Sequence, residues 1–147
     1  MERKILSAKE AQQLNSLVLA YVGDAVQSLY VRQNLATTLD LKAGELHKLA
    51  SKVVNAHNQA VLADKLFDTF TQEEKDVFLR GRNGKSHHKA KNQTGADYRK
   101  ATGFEAVIGY LYLTGNDARI AELLGETNEN WRKKLCFWST KQRYNNS

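Results

Sequence analysis

From Leu17 to Val22 every side chain is apolar, and the run ends at Gly23 beside a single carboxylate, Asp24. A helix carrying such a run is apolar all round and has to be covered on every side. An ionised Asp24 within it requires hydrogen-bond donors, an opposite charge or a metal ion. Upstream, Ser7-Ala8-Lys9-Glu10 has the spacing of a capping box and opens a first helix, with Asn15-Ser16 able to cap a second start. The Asp24 helix is expected to run through Leu29, Tyr30 and Val31 to about Leu35, with Ala36, Thr37, Thr38 and Asp40 in a loop.

Beyond Leu41 the apolar residues Leu46, Leu49, Ala50, Val53 and Val54 recur at three- and four-residue steps, and Val61, Leu62, Leu66, Phe67 and Phe70 repeat the pattern. Both read as amphipathic helices. Thr71-Gln72-Glu73-Glu74 is a second capping box, leading into Val77, Phe78 and Leu79. Periodicity then fails from Arg80 to about Lys100, which predicts an ordered loop or broken helix with a solvated surface. Thr102-Gly103-Phe104-Glu105 is expected to start another helix, apolar on nearly every face through Leu113 and closed by Thr114-Gly115-Asn116. A short segment, Asp117 to Leu124, ends near Gly125, and a last helix begins at Asn128 or Asn130. No alternating strand pattern competes, so the fold class is all-α.

The 147 residues, 41% of them hydrophobic, suffice for one domain with a real core. There is no proline, no repeat and no run long enough to span a bilayer, and the first residues lack an apolar signal region, so a soluble cytoplasmic protein is expected. A single cysteine, Cys136, offers neither an internal disulfide nor a zinc site. The net charge of +6 is concentrated: residues 80–100 carry seven Lys or Arg against Asp97 alone, and the rest of the chain balances. Within that rest, the tail from Trp131 onward is basic as well. Such segregation points to a polyanion-binding face, with Arg80, Arg82, Lys85, Lys89 and Lys91 as phosphate contacts. A helix-turn-helix DNA binder fits poorly, because the basic residues sit in a glycine-containing segment and not along one helix face.

Asp24 and Glu105 are the candidates for chemistry, each a lone acid in one of the two most apolar helices. Two central helices pack on each other, which would bring the carboxylates together. Mutual repulsion in a shared site is relieved by a divalent cation, and hard oxygen ligands suit Mg²⁺. Carboxylates holding a metal beside a basic loop make a plan for cutting a phosphodiester. On the residues alone a second reading stands equally: Asp24 with Gln27, and Thr102 with Glu105, have the form of helix N-caps.

Tyr21-Val22-Gly23-Asp24-Ala25-Val26 resembles the second half of the ribonuclease III signature, and Phe104-Glu105-Ala106-Val107-Ile108-Gly109 with Tyr112-Leu113 resembles that family's second block. The compact Mini-ribonuclease III branch, which lacks a double-stranded-RNA-binding domain, is the more similar. Leu19 to Ala25, Arg80-Gly81-Arg82-Asn83-Gly84-Lys85-Ser86, Lys91-Asn92 and Tyr98-Arg99 leading into Ala101-Thr102-Gly103-Phe104-Glu105 carry that likeness, in order and correctly spaced.

The resemblance implies a helical-bundle endonuclease domain over residues 1–147, a homodimer that cuts duplex RNA with Mg²⁺ and water to leave 5′-phosphate ends. Asp24 matches the catalytic aspartate and Glu105 the metal-binding glutamate; the substrate implied is precursor 23S ribosomal RNA. Where ribonuclease III carries two further glutamates and an aspartate, this chain has Leu17, Ala20 and Thr102, as the Mini branch does. The site is therefore lean, and should hold its metal through more water and more substrate phosphate. Lys100 stands where the Mini pattern has an aromatic residue, and the stretch around Gln93-Thr94-Gly95 is shorter. Without a separate RNA-binding domain, affinity for naked duplex should be modest and strongly salt-dependent. A partner such as a ribosomal protein is then expected to assist on structured RNA. The alternative from another class is a non-catalytic RNA-binding or ribosome-assembly module on the same scaffold.

Overall fold

A computed structural model describes residues 2–84, 95–125 and 133 of the chain. Among the described residues the structure is helical with no strand, as the patterning predicts. Lys85, Lys89, Lys91, His87, His88, Cys136, the basic tail and the expected last helix lie outside them, apart from Lys133.

Ser7 caps α1 (Ala8–Gln13), its hydroxyl accepting from Glu10 N, and Leu14 closes it after two turns. Asn15 restarts the chain as α2 (Ser16–Thr38), its side chain accepting from Leu17 N. The expected loop at Ala36–Thr38 is instead the last turn of α2, with Thr37 Oγ1 donating to Gln33 O. A hydroxyl that bonds backward onto the helix needs no loop to satisfy it. Then come α3 (Ala43–Val53) and α4 (Ala56–Leu66), a 3₁₀ turn (Phe67–Thr69) and α5 (Gln72–Asn83). The predicted box at Thr71 is present in full, Thr71 Oγ1 accepting from Glu74 N and Glu74 accepting from Thr71 N.

The sixth helix, α6 (Gly95–Leu113), starts two turns before the expected Thr102. Residues 95–100 lack apolar periodicity, but side-chain ties to α4 hold them: His57 Nδ1 meets Asp97 at 3.1 Å and Lys100 Nζ donates to Asp64 at 2.9 Å. At the other end Asn116 N donates to Leu111 O and Gly115 takes φ +76°, the left-handed cap that glycine adopts without a Cβ penalty. Residues 117–125 are helical and place Ile120, Leu123 and Leu124 in the core.

The middle of α6 is the axis of the molecule, with Phe104, Ala106, Val107 and Ile108 fully enclosed. Leu19, Val77, Phe78 and Leu123 pack around it, and Phe67, Phe70 and Phe78 form an edge-on aromatic cluster with ring centroids 5.6–6.0 Å apart. A smaller cluster joins Val31 and Leu35 of α2 to Leu46, Leu49 and Val53 of α3. Arg119 clamps the buried Glu74, donating through Nη2 at 2.9 Å and also reaching Thr69 O.

The close approach of α6 to both flanking helices depends on missing side chains. A Cβ on Gly103 would lie 2.7 Å from Phe78 O, and one on Gly81 would lie 2.9 Å from Gly103 Cα, so α5 presses onto α6 there. A Cβ on Gly23 would fall 1.7 Å from Glu105 O, and one on Gly109 1.9 Å from Leu19 O. The chain therefore brings α2 against α6 at backbone distance, immediately beside Asp24.

Candidate active site

Asp24 follows Gly23 in the middle of α2, and Glu105 is in the interior of α6, between the glycines that admit α5 and α2. Neither acid stands at a helix start, so the capping reading fails for both. Gln27 is likewise interior to α2, and Thr102 Oγ1 donates back to Tyr98 O at 2.9 Å within α6. The two carboxylates, 81 positions apart in sequence, are brought together where the helices cross.

Their environments differ, and not in the way the sequence suggests. Asp24 is exposed, while Glu105 is largely buried. Burial first, and the neighbouring Asp24 charge second, push the Glu105 carboxyl from the ordinary 4.5 up to about 8; a hydrogen bond from Gln59 acts in the opposite direction. Among the described residues neither acid has an ion-pair partner. The costly burial is thus at residue 105, not at residue 24.

Two glutamines, neither singled out by the sequence reading as part of the site, complete the surroundings. Gln59 of α4 donates through Nε2 to Gln27 Oε1 at 2.9 Å, and both are nearly enclosed, at 6% and 4% exposure. The sequence did hold a signal: Gln59 falls on the stripe of α4 that otherwise reads Ala56, Ala60, Ala63 and Leu66, where a polar residue needs a buried partner.

Leu17, Ala20 and Thr102, on the same two helices, contribute no charge, and among the described residues no cluster of three or more acids, histidines or cysteines forms. Asp97, two turns before Glu105 on α6, is bonded to the exposed His57.

The proposed phosphate contacts divide. Arg80 Nη1 donates to Gln12 O at 3.0 Å, tying α5 to α1, and Arg82 Nε reaches Asn83 Oδ1 at 3.3 Å. Lys85, Lys89 and Lys91 lie outside the described residues. Gly84, which caps α5, rests against Leu17 and Ser16 of α2, the helix that carries Asp24.

A family model described as the ribonuclease III domain matches residues 17–116, which include both acids and both glutamines. Mini-ribonuclease 3 of Enterococcus faecalis is 43% identical over 130 residues, covering 82% of this chain and 98% of that protein. The Staphylococcus aureus Mini-ribonuclease 3 is 46% identical over 115 residues, covering 77% and 86%. That of Brevibacillus brevis is 49% identical over 110 residues, covering 75% and 82%. A crystal structure of a Fusobacterium nucleatum protein superposes with a TM-score of 0.74 at 26% identity, covering 80% of this chain and 94% of that one. With the all-helical architecture and the paired acids in place, the chain belongs to the ribonuclease III family, in its Mini-ribonuclease 3 branch.

Proposed function

We propose that this endoribonuclease hydrolyses double-stranded RNA with Mg²⁺ held by Asp24 and Glu105, acting in the cytosol as a homodimer in the maturation of precursor 23S ribosomal RNA. The observation that carries the reading is the convergence of these two acids at the α2–α6 crossing, one exposed and one raised to about 8. Two hard oxygen donors that repel each other, with no cationic side chain paired to them among the described residues, fit a divalent ion. When bound, Mg²⁺ supplies a Lewis acid and an activated water for phosphodiester hydrolysis that leaves a 5′-phosphate. Asp24, being exposed, faces the incoming RNA, while Glu105 is fixed from behind by the helix interior.

Duplex RNA presents phosphates and 2′-hydroxyls where its base edges are out of reach. Gly84, the last described residue before the lysines, lies beside Leu17 of the helix that carries Asp24, which supports phosphate contacts by those lysines near that acid. A stripe of α2 supports the dimer: Val18, Tyr21 and Leu29 are exposed, Tyr21 at 80% and Leu29 at 67%, and with Ala25 they share one helix face. Covering this face with its own two-fold copy buries the apolar excess that the single chain leaves open. A ribosomal protein that presents structured RNA would supply affinity that a domain of this size lacks.

The deciding experiment is incubation with long duplex RNA, with and without Mg²⁺, followed by analysis of the product ends. Asp24→Asn and Glu105→Gln should each abolish cutting while the helical circular dichroism stays that of the wild type. Undiminished cutting by either variant removes that residue from the mechanism.

A further inference from the structure

We infer that Gln59 is a positioning residue for Glu105, and that Gln27 orients Gln59, so the helix bearing Asp24 also sets where the Glu105 carboxylate points. This rests on the proposed metal site.

The argument is one of donors and acceptors. The Gln59 bond favours the ionised form of Glu105, which only accepts, so the group that Gln59 turns toward it is its N–H₂. The same nitrogen donates to Gln27 Oε1 at 2.9 Å. Reversing the Gln59 amide would set its oxygen against the carboxylate and against Gln27 Oε1 at once, two acceptor–acceptor contacts in a nearly waterless interior. With Gln27 presenting Oε1, the Gln59 orientation is held from both sides.

Three helices meet in this chain of groups: α6 through Glu105, α4 through Gln59 and α2 through Gln27. Gln27 is three residues beyond Asp24 and so lies on a neighbouring face of the same helix. A shift of α2 moves Asp24 and, through the two amides, the Glu105 side chain together. Groups that orient a metal-binding carboxylate in this way are worth about 10–100-fold in metal affinity or activity. A purely structural reading, in which the amides merely join α2 to α4, makes no such demand.

The test uses the full chain, Mn²⁺ alone as the binding probe, followed by electron paramagnetic resonance of the free ion, and duplex RNA for kinetics. Replacing both glutamines together, Gln27→Met with Gln59→Met, removes the donor and acceptor of their mutual bond as a matched pair, so that Glu105 is the one group left without its amide neighbour. The double variant should unfold at the wild-type temperature, bind Mn²⁺ at least ~10-fold more weakly and lose kcat by a similar factor with KM for RNA unchanged. Wild-type Mn²⁺ affinity and kcat in a folded double variant overturn the inference. Gln59→Asn keeps the amide but withdraws it by one methylene; it too should weaken Mn²⁺ binding and lower kcat, and wild-type values there overturn the inference even where the double variant fails to fold. Glu105→Gln separates the two levels. If it binds Mn²⁺ like the wild type, the metal site itself is wrong; if it loses Mn²⁺ while the glutamine variants do not, only the positioning role is.

Discussion

Gly23 and Gly109 face each other across the α2–α6 crossing, with a Cβ on either falling within 3.0 Å of the other's backbone nitrogen. A side chain at either position would meet backbone, which has nowhere to rotate. Gly23→Ala and Gly109→Ala should each cost ~3 kcal/mol or more, the upper end of the range for overpacking, measured by urea unfolding. Gly44, on exposed α3 with nothing within 4 Å of a Cβ, is the control. Gly44→Ala should be neutral or stabilise by ~0.4–1 kcal/mol. Equal effects at the three positions would mean that the crossing is not held at backbone distance.

The raised Glu105 carboxyl makes stability depend on pH in a defined direction. Its folded value of about 8 lies above the ordinary 4.5. Below 4.5 both folded and unfolded chains are protonated there and no penalty exists; between 4.5 and about 8 the folded state retains a proton that the unfolded chain has released. Stability from this group is therefore lost as pH rises through that window and is level above it. In metal-free buffer Glu105→Gln should match the wild type near pH 4.5 and exceed it near pH 8.5 by an amount of the order of a few kcal/mol. Mg²⁺ should raise the wild-type melting temperature and leave the variant unmoved. A pH-independent difference between the two proteins would contradict the buried environment of Glu105.

Both catalytic candidates were visible in the sequence because an acid is conspicuous in an apolar helix, and the same periodicity located five of the helix cores. A run apolar on every face reads as enclosed, which makes Asp24 a buried acid on sequence alone, whereas the structure exposes it. Val18 and Tyr21 are in fact open to solvent, and periodicity cannot tell a face awaiting a partner from one already covered. The first two turns of α6 were missed for a different reason. Gly95 to Lys100 carries no apolar rhythm, and its helical state rests on His57–Asp97 and Lys100–Asp64, contacts between residues 36 or more positions apart. Gln27 reads from sequence as a capping partner of Asp24, and Gln59 as no part of a site, because a lone polar residue on an apolar stripe gains meaning only when its mate, 32 positions away, is known.

Arg80 and the lysines beyond it should behave as two different kinds of basic residue. Arg80 is committed to Gln12 O, so Arg80→Ala should cost ~1 kcal/mol of stability and leave the salt dependence of RNA binding nearly unchanged. Replacing Lys85, Lys89 and Lys91 together should do the reverse. It should weaken duplex binding and flatten the plot of log affinity against log salt by roughly 2–3, about one for each phosphate contact removed. A slope unaltered by the triple change would place the RNA on some other face.

The exposed stripe of α2 offers a prediction that can fail before any activity is measured. Tyr21 and Leu29 touch little of their own chain, so charge placed there costs the single fold almost nothing: Tyr21→Glu and Leu29→Lys should keep the wild-type circular dichroism. If the stripe is the two-fold face, each side chain meets the other copy near the axis, and a like charge on both copies is brought into an apolar setting. Sedimentation velocity should then give dimers for the wild type and monomers for Tyr21→Glu at the same concentration. Because Asp24 borders the stripe on α2, separating the copies also removes the second carboxylate site from the duplex, and products should shift from paired cuts toward single-strand nicks. A wild-type chain that sediments as a monomer at tens of micromolar would leave Tyr21 exposed for some other partner and the two-site arrangement without support.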